Sequence, residues 1–334
     1  MHDMARLDNL DRRVVHALQV NPRASWAQVG AVLGIDPVTA ARRWGRLRDE
    51  GIAWMTAYAT SVGDQGPMAL VEIESAGQSL EIATRLVDDP ECATIDITSG
   101  GRDLLLTVAS RDRAALTGYL LQRIGTLDRI RAIRTHLVTR VITEGAGWRL
   151  NSLTDAEQSR LRESTDASAR AHPRALTEDE HAVLAGLVTD GRAPTAKLAE
   201  RTGLSPRRVR DLVRDLLRSE RLTLRTELQA EASGWPIYAW FFLRVPASAA
   251  NTISPRLGSL TEVRTVLQIA GPCNVIMAVW LKELTDVSKL EAAIESQLRD
   301  VEIVDRSVVL QAAKRTGVVL DPTGRRLRNI PIKP

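Results

Sequence analysis

The sequence predicts an α+β protein made of two copies of one unit, each a (winged) helix-turn-helix domain followed by a ferredoxin-like βαββαβ domain. Three observations predict it. A shift of 169 positions lays LDNLDRRVVHALQVNPRASWAQVGAVLGIDPVTAARRWGRL, starting at Leu7, on LTEDEHAVLAGLVTDGRAPTAKLAERTGLSPRRVRDLVRDL, starting at Leu176. In both stretches a short glycine-containing turn leads to a capping residue and a proline, Asp36-Pro37 and Ser205-Pro206, which restart a helix. Beyond Pro67 the hydrophobic period changes from helical to alternating.

The match between the copies is residue by residue: Leu18 falls on Leu187, Arg23 on Arg192, Gly34 on Gly203, Pro67 on Pro236 and, after a two-residue gap, Gly100 on Gly271. This divides the chain into a helix-turn-helix domain over 1–60, a ferredoxin-like domain over 61–145, a linker over 146–175, a second helix-turn-helix over 176–230, a second ferredoxin-like domain over 231–316, and a basic tail over 317–334 that is expected to be mobile. The linker is rich in Ser, Thr, Ala, Asp and Arg, and its LTDAEQSRLRE carries a Thr154…Glu157 capping box that predicts one short helix.

In the first copy Leu10, Val14, Val15 and Leu18 form an apolar helical stripe that Asn21-Pro22 ends. Ser25 caps a second helix bearing Val29, Val32 and Leu33, and Gly34 closes it. On the third helix Ala40, Trp44 and Leu47 point inward, as do Val209, Val213 and Leu216 in the second copy, so Trp44 is a core residue. The opposite faces carry Val38, Thr39, Arg42, Arg43 and Arg46, and in the second copy Arg207, Arg208, Arg210 and Arg214 with Asp211 and Asp215. A basic helix is usually a solvated surface, but one that follows a helix and a tight turn can lie in the major groove of double-stranded DNA, its early residues at base edges and its arginines on phosphates.

After Pro67, MALVEIE, CATIDITS, DLLLTVAS and IRAIRTHLVTRV read as strands, with QSLEIATRLVDD and ALTGYLLQRI as helices. The second copy follows with YAWFFLRV, EVRTVLQI, NVIMAVWL and EIVDRSVVL as strands, and helices through SPRLGSL and SKLEAAIESQL. YAWFFLRV and NVIMAVWL are apolar on both faces, so the face away from the helices needs a second cover, another sheet within the chain or across a homo-oligomer.

The 334 residues, 44% hydrophobic and 26% charged with a net charge of +4, describe a globular chain long enough for several cored domains. Cys92 and Cys273 lie far apart in no metal-ligand or disulfide spacing, and no apolar run approaches the roughly 20 residues of a membrane span. The N-terminus is too charged for a signal peptide, so a cytoplasmic protein is expected. Of His2, His16, His136, His172 and His181, only His136 falls in a ferredoxin-like domain. No nucleophile, metal or phosphate-loop constellation is present, so neither an enzyme nor a cofactor is expected.

The order of these domains, with LDNLDRRVVHALQ, RASWAQVGAVLGI and ARRWGRLRDEGI, resembles the Lrp/AsnC family of transcription regulators. SGGRDLLLTV is similar to the start of that family's third strand, where Gly-x-x-Asp precedes an apolar run. The resemblance implies a regulator that binds DNA through its helix-turn-helix modules and a small effector, often an amino acid, at its regulatory domains, which also associate. Carried onto this chain, the effector loop is Ser99, Gly100, Gly101, Arg102 and Asp103, with Gly271 and Asn274 as its counterpart. Amides and Arg102 would suit a carboxylate and Asp103 an amine. The chain departs from the family in carrying two units, in Asp211-Leu212 where the first copy has Arg42-Arg43, and in Asn274 for Asp103. Two rival readings are a sirohaem decarboxylase-like enzyme of related fold and a chromosome-organising protein that binds DNA with little sequence preference.

Overall fold

The computed structural model describes residues 7–59, 66–162, 176–298 and 300–332. His2, His172 and the later part of the expected linker, 163–175, lie outside the described residues. In chain order the elements are α1 (Asn9–Val20), α2 (Trp26–Leu33), α3 (Pro37–Asp49), β1 (Ala53–Ala59), β2 (Met68–Ser75), α4 (Ser79–Leu86), β3 (Cys92–Thr98), β4 (Leu104–Ala109), α5 (Arg113–Gly118) and β5 (Ile130–Thr143). Then follow α6 (Asp155–Arg162), α7 (Glu178–Thr189), α8 (Thr195–Thr202), α9 (Pro206–Arg218), β6 (Leu222–Leu228), α10 (Ala230–Ser233), β7 (Ile237–Arg244), α11 (Ala247–Gly258), β8 (Val263–Ala270), β9 (Val275–Leu281), α12 (Asp286–Gln297), β10 (Glu302–Arg315), β11 (Val318–Leu320) and β12 (Arg326–Asn329). Where ALTGYLLQRI predicts one α-helix, α5 passes into a π-helical stretch over Tyr119–Ile124.

Local chemistry sets the helix ends. Side chains of Asp8, Ser25, Asp36 and Ser205 each accept a hydrogen bond from a backbone amide in the first turn of α1, α2, α3 and α9. Thr177 and Glu180 form a reciprocal capping box on α7. Gly34 and Gly203 end α2 and α8 at φ of 69° and 72°, a conformation that costs a side-chain-bearing residue.

The described residues of 1–65, 149–229 and 325–331 form one compact unit and those of 66–148, 230–324 and 332–334 another. In the first unit, β1 and β6 form an antiparallel ribbon in which Ala53 faces Leu228, Thr56 faces Arg225 and Ala59 faces Leu222. Thr56 and Arg225 are also one repeat shift apart, so the register is symmetric about them. The linker is not an open tether here. The His16 ring nitrogen Nδ1 accepts from the amides of Ser152 and Leu153 (3.0 and 2.9 Å), and Asn21 donates to the Leu161 carbonyl at the end of α6. The expected mobility of the C-terminal stretch is also corrected: the Arg326 amide donates to the Gly51 carbonyl (2.8 Å), and the Asn329 amide group to that of Val188 (3.0 Å). These are backbone partners, which a scan for periodicity does not register.

In the second unit eight antiparallel strands close on themselves in the order β10-β3-β4-β2-β5-β8-β9-β7, with β7 pairing back to β10. The long strands make the closure: β5 pairs with β2 and β8, β10 with β7 and β3. The two crossings match. Val138 faces Ile269 and Val309 faces Thr98, and the irregularities fall between Val138 and Arg140 on β5 and between Val309 and Gln311 on β10. Phe241, Met277 and Val279 pack with Leu257, Leu290 and Ile294 of α11 and α12. On the other sheet face Leu70, Leu105, Trp240, Phe242, Leu267 and Ile276 form the barrel interior. The second cover that the two-faced strands require is thus supplied within the chain.

Candidate nucleic-acid interface

Helices α3 and α9 each follow a helix and a glycine-closed turn, with Ala40, Trp44 and Leu47, or Val209, Val213 and Leu216, buried beneath them. On α3, Val38 is 72% exposed and Arg42 is exposed. Arg43 and Arg46 are not available in the same way. Arg43 reaches Asp8 (2.7 Å) and Asp11 (2.8 Å), while Arg46 reaches Asp11 (2.6 Å) and Glu50 (3.3 Å). The hydrogen bond to Asp11, seconded by Asp8, holds the Arg43 guanidinium above its ordinary pKa. The signal for this clamp was in the sequence, in the acids at the start of LDNLDRR, but nothing local said which arginines they meet.

On α9, Arg207 and Arg210 are exposed and make no ion pair or side-chain hydrogen bond among the described residues. Arg208 pairs with Asp179 (3.1 Å), and Arg214 with Asp211 (3.0 Å) and Asp215 (3.3 Å). Leu212, which the repeat sets against Arg43, is buried rather than outward.

The expected effector loop is already engaged with the protein. The Asp103 carboxylate accepts from the Ser75 amide (2.6 Å) and hydroxyl (3.0 Å). Asn274 does the matching task, its side-chain oxygen accepting from the Val245 amide (2.9 Å) and its nitrogen donating to the Val245 carbonyl (2.7 Å). Asp103 therefore ties down the end of β2 and Asn274 the residue after β7, and the exchange of acid for amide is neutral to that role. Arg102 is buried and donates to Glu72 (2.7 Å), Ser307 (2.5 Å) and Asp305 (2.5 Å), with its guanidinium 3.9 Å from the centre of the Phe242 ring. Glu72 also bonds His136 (2.6 Å), and Gly271 leaves no room beside that ring, since a Cβ there would lie 2.7 Å from Nδ1. Burial alone would raise the Glu72 pKa, but His136 and Arg102 outweigh it and hold the carboxyl below its ordinary value. Gly100, at φ 92°, and Gly101 remain exposed, and Ser99 is tied to Val308 of β10 through its amide (2.8 Å) and hydroxyl (3.0 Å).

The architecture defines a helix-turn-helix protein whose sheet domains close into a barrel. Comparison with known proteins places the first half within that class. Residues 7–48 match the AsnC-type helix-turn-helix domain and residues 68–148 the Lrp/AsnC ligand binding domain. The first half of the chain is thus similar to the two domains of Lrp/AsnC transcription regulators. Among relatives, the regulatory protein AsnC of Escherichia coli K12 is 27% identical over 136 residues, 40% of this chain and 90% of that protein. An uncharacterised HTH-type transcriptional regulator of Pyrococcus furiosus is 25% identical over 138 residues, 40% of this chain and 93% of that one. Across both halves the chain is similar in fold to the siroheme decarboxylase NirDL, solved with an iron-uroporphyrin III analogue: TM-score 0.61, 13% identity, 97% of this chain and 95% of that one. Among the described residues no helix is long and apolar enough to cross a membrane, and no group of His, Cys, Asp and Glu could hold a metal ion.

Proposed function

We propose that the protein is a sequence-specific DNA-binding transcription regulator of the Lrp/AsnC type, duplicated in tandem so that one chain takes the place of a dimer. The observation that carries this reading is the symmetric ribbon of the first unit, in which Thr56 faces Arg225. Dimers related by a twofold axis pair identical surfaces, and here two similar surfaces pair in one chain. Arg42 on α3, and Arg207 and Arg210 on α9, are exposed cations with no ion pair among the described residues, suited to phosphate or guanine.

An effector such as an amino acid belongs to this reading through the ligand-binding domain. With Arg102 and Asp103 engaged inside the protein, recognition would fall to the exposed backbone of Gly100 and Gly101. Genomic footprinting with the purified chain tests the regulator: protection at defined operators supports it, and uniform weak protection at fixed salt favours the chromosome-organising alternative.

The second reading, a sirohaem decarboxylase-like enzyme, draws on the likeness in fold across both halves. Against it, His136 is buried, with its ring bonded to a Glu72 carboxylate that Arg102 also holds. Adding sirohaem and recording the visible spectrum separates the two, since an unchanged spectrum disfavours the enzyme.

A further inference from the structure

The frame that holds α3 and α9 is symmetric, but the faces they present are not. The repeat shift sets Val38 against Arg207, Thr39 against Arg208, Arg42 against Asp211 and Arg46 against Asp215. The buried stripes of the two helices correspond, Ala40 with Val209, Trp44 with Val213 and Leu47 with Leu216. The outward positions therefore differ in chemistry while three buried positions keep their place, with Leu212 added to the stripe of α9.

We propose that the chain reads a non-palindromic DNA site of two dissimilar half-sites in inverted orientation, one rich in A·T under α3 and one rich in G·C under α9. This rests on the DNA-binding reading above. In a docked helix-turn-helix the first residues of the second helix meet base edges in the major groove. On α3 those residues are Val38, which has no polar group and is 72% exposed, and Thr39. Methyl groups of this kind match the C5-methyl of thymine. The arginines behind them add little to base reading, because Asp8, Asp11 and Glu50 hold Arg43 and Arg46 and leave Arg42 for a phosphate.

On α9 the same positions hold Arg207 and Arg208. The Arg207 fork has no partner among the described residues and fits the O6 and N7 acceptors of guanine. Asp211, one turn on, is an acceptor that suits the cytosine amino group, with Arg214 beside it at 3.0 Å. The inverted orientation follows from the antiparallel ribbon and its symmetric register. A dimer of identical chains must read the same half-site twice, whereas two modules in one chain are under no such constraint.

The test uses the full chain. A duplex is selected from a random library at fixed salt, and its affinity is compared by fluorescence anisotropy with those of its two symmetrised palindromes. The expected consensus is asymmetric, and each palindrome binds at least about tenfold more weakly, the effect of roughly one mismatched base pair. A triple variant, Arg207→Val, Arg208→Thr and Asp211→Arg, gives α9 the first three outward residues of α3 without touching the buried stripe. It should move the preference towards the α3-type palindrome, with circular dichroism confirming that the helices persist. A palindromic consensus, equal affinity for all three duplexes, or a triple variant with unchanged preference would overturn the inference while leaving DNA binding intact. Failure to bind any duplex above random competitor would overturn the DNA-binding reading, and this inference with it.

Discussion

Arg23 and Arg192 each hold the loop that carries the other. The Arg23 guanidinium donates to the carbonyls of Gly191 (3.1 Å) and Ala193 (3.2 Å), and that of Arg192 to those of Pro22 (2.5 Å) and Ala24 (2.7 Å). The four acceptors flank the two arginines, so the exchange is reciprocal about the same axis as the β1–β6 ribbon. Burial lowers both pKa values, that of Arg192 to about 10, yet both groups remain charged at neutral pH. The Arg192 guanidinium also lies 4.2 Å from the centre of the Trp26 ring. Replacing either arginine by alanine leaves two carbonyls without their donor and should cost roughly 1–3 kcal/mol. Urea unfolding of the single and double variants checks this, and losses near zero would mean water replaces the guanidinium.

Arg102 offers the sharpest separation between a structural and a ligand role. It is the cation between Glu72 and Asp305, and without it Glu72 keeps only His136 in a buried site. Arg102→Ala should therefore destabilise the barrel by about 3–5 kcal/mol, the cost typical of orphaning a buried charge. Calorimetric unfolding reads it. A variant of unchanged stability but altered response to amino acids would return Arg102 to the effector site.

Much of this was legible in the sequence, for definite reasons. Capping residues, glycine turns and the apolar stripes act within a few residues, so Asp36-Pro37, Gly34 and the burial of Trp44 could be read from spacing alone. Aligning the two halves even set Arg23 on Arg192, without revealing that they exchange partners. What stayed hidden lies far apart in sequence: Asp11 on Arg43 and Arg46, Arg102 on Ser307 and Asp305, Gly51 on Arg326. A charged residue shows its charge in sequence, but not whether that charge faces solvent, a ligand or another side chain. Glu72, in strand alternation with the buried Leu70, was the available hint that this barrel holds a buried ion cluster.

His16 predicts an acid-sensitive docking of residues 149–162 on α1. Burial drives its pKa from 6.5 to about 4, with Arg149 and Arg162 adding to the effect. Between those values the unfolded chain binds a proton that the folded one does not, so stability is lost as pH falls from 6.5 towards 4, by roughly 2–3 kcal/mol. Asp96 acts in the opposite sense: burial raises it to about 6 despite Arg315 and Trp240, so the folded state takes up a proton first. Measuring stability against pH in an Asp96→Asn background, with and without His16→Gln, isolates the histidine. A slope that survives the loss of His16 would assign the effect elsewhere.

Arg42 and Arg43 should behave differently although they are neighbours. Arg42→Ala should weaken DNA binding and reduce its salt dependence by about one unit, with stability unchanged. Arg43→Ala should act mainly through the fold, because it removes one of the two arginines that hold buried Asp11. Salt titrations beside thermal unfolding distinguish them, and identical behaviour of the two variants would count against the clamp.

On the proposed reading, one chain presents a complete pair of DNA-reading modules. Its most direct measurement is the stoichiometry of the complex on a selected duplex, by native mass spectrometry combined with footprinting. One chain per duplex is expected, with protection of two adjacent half-sites on the same face of the DNA. Two chains on a duplex with each protecting a single half-site, or protection that shows no half-sites at all, would contradict it.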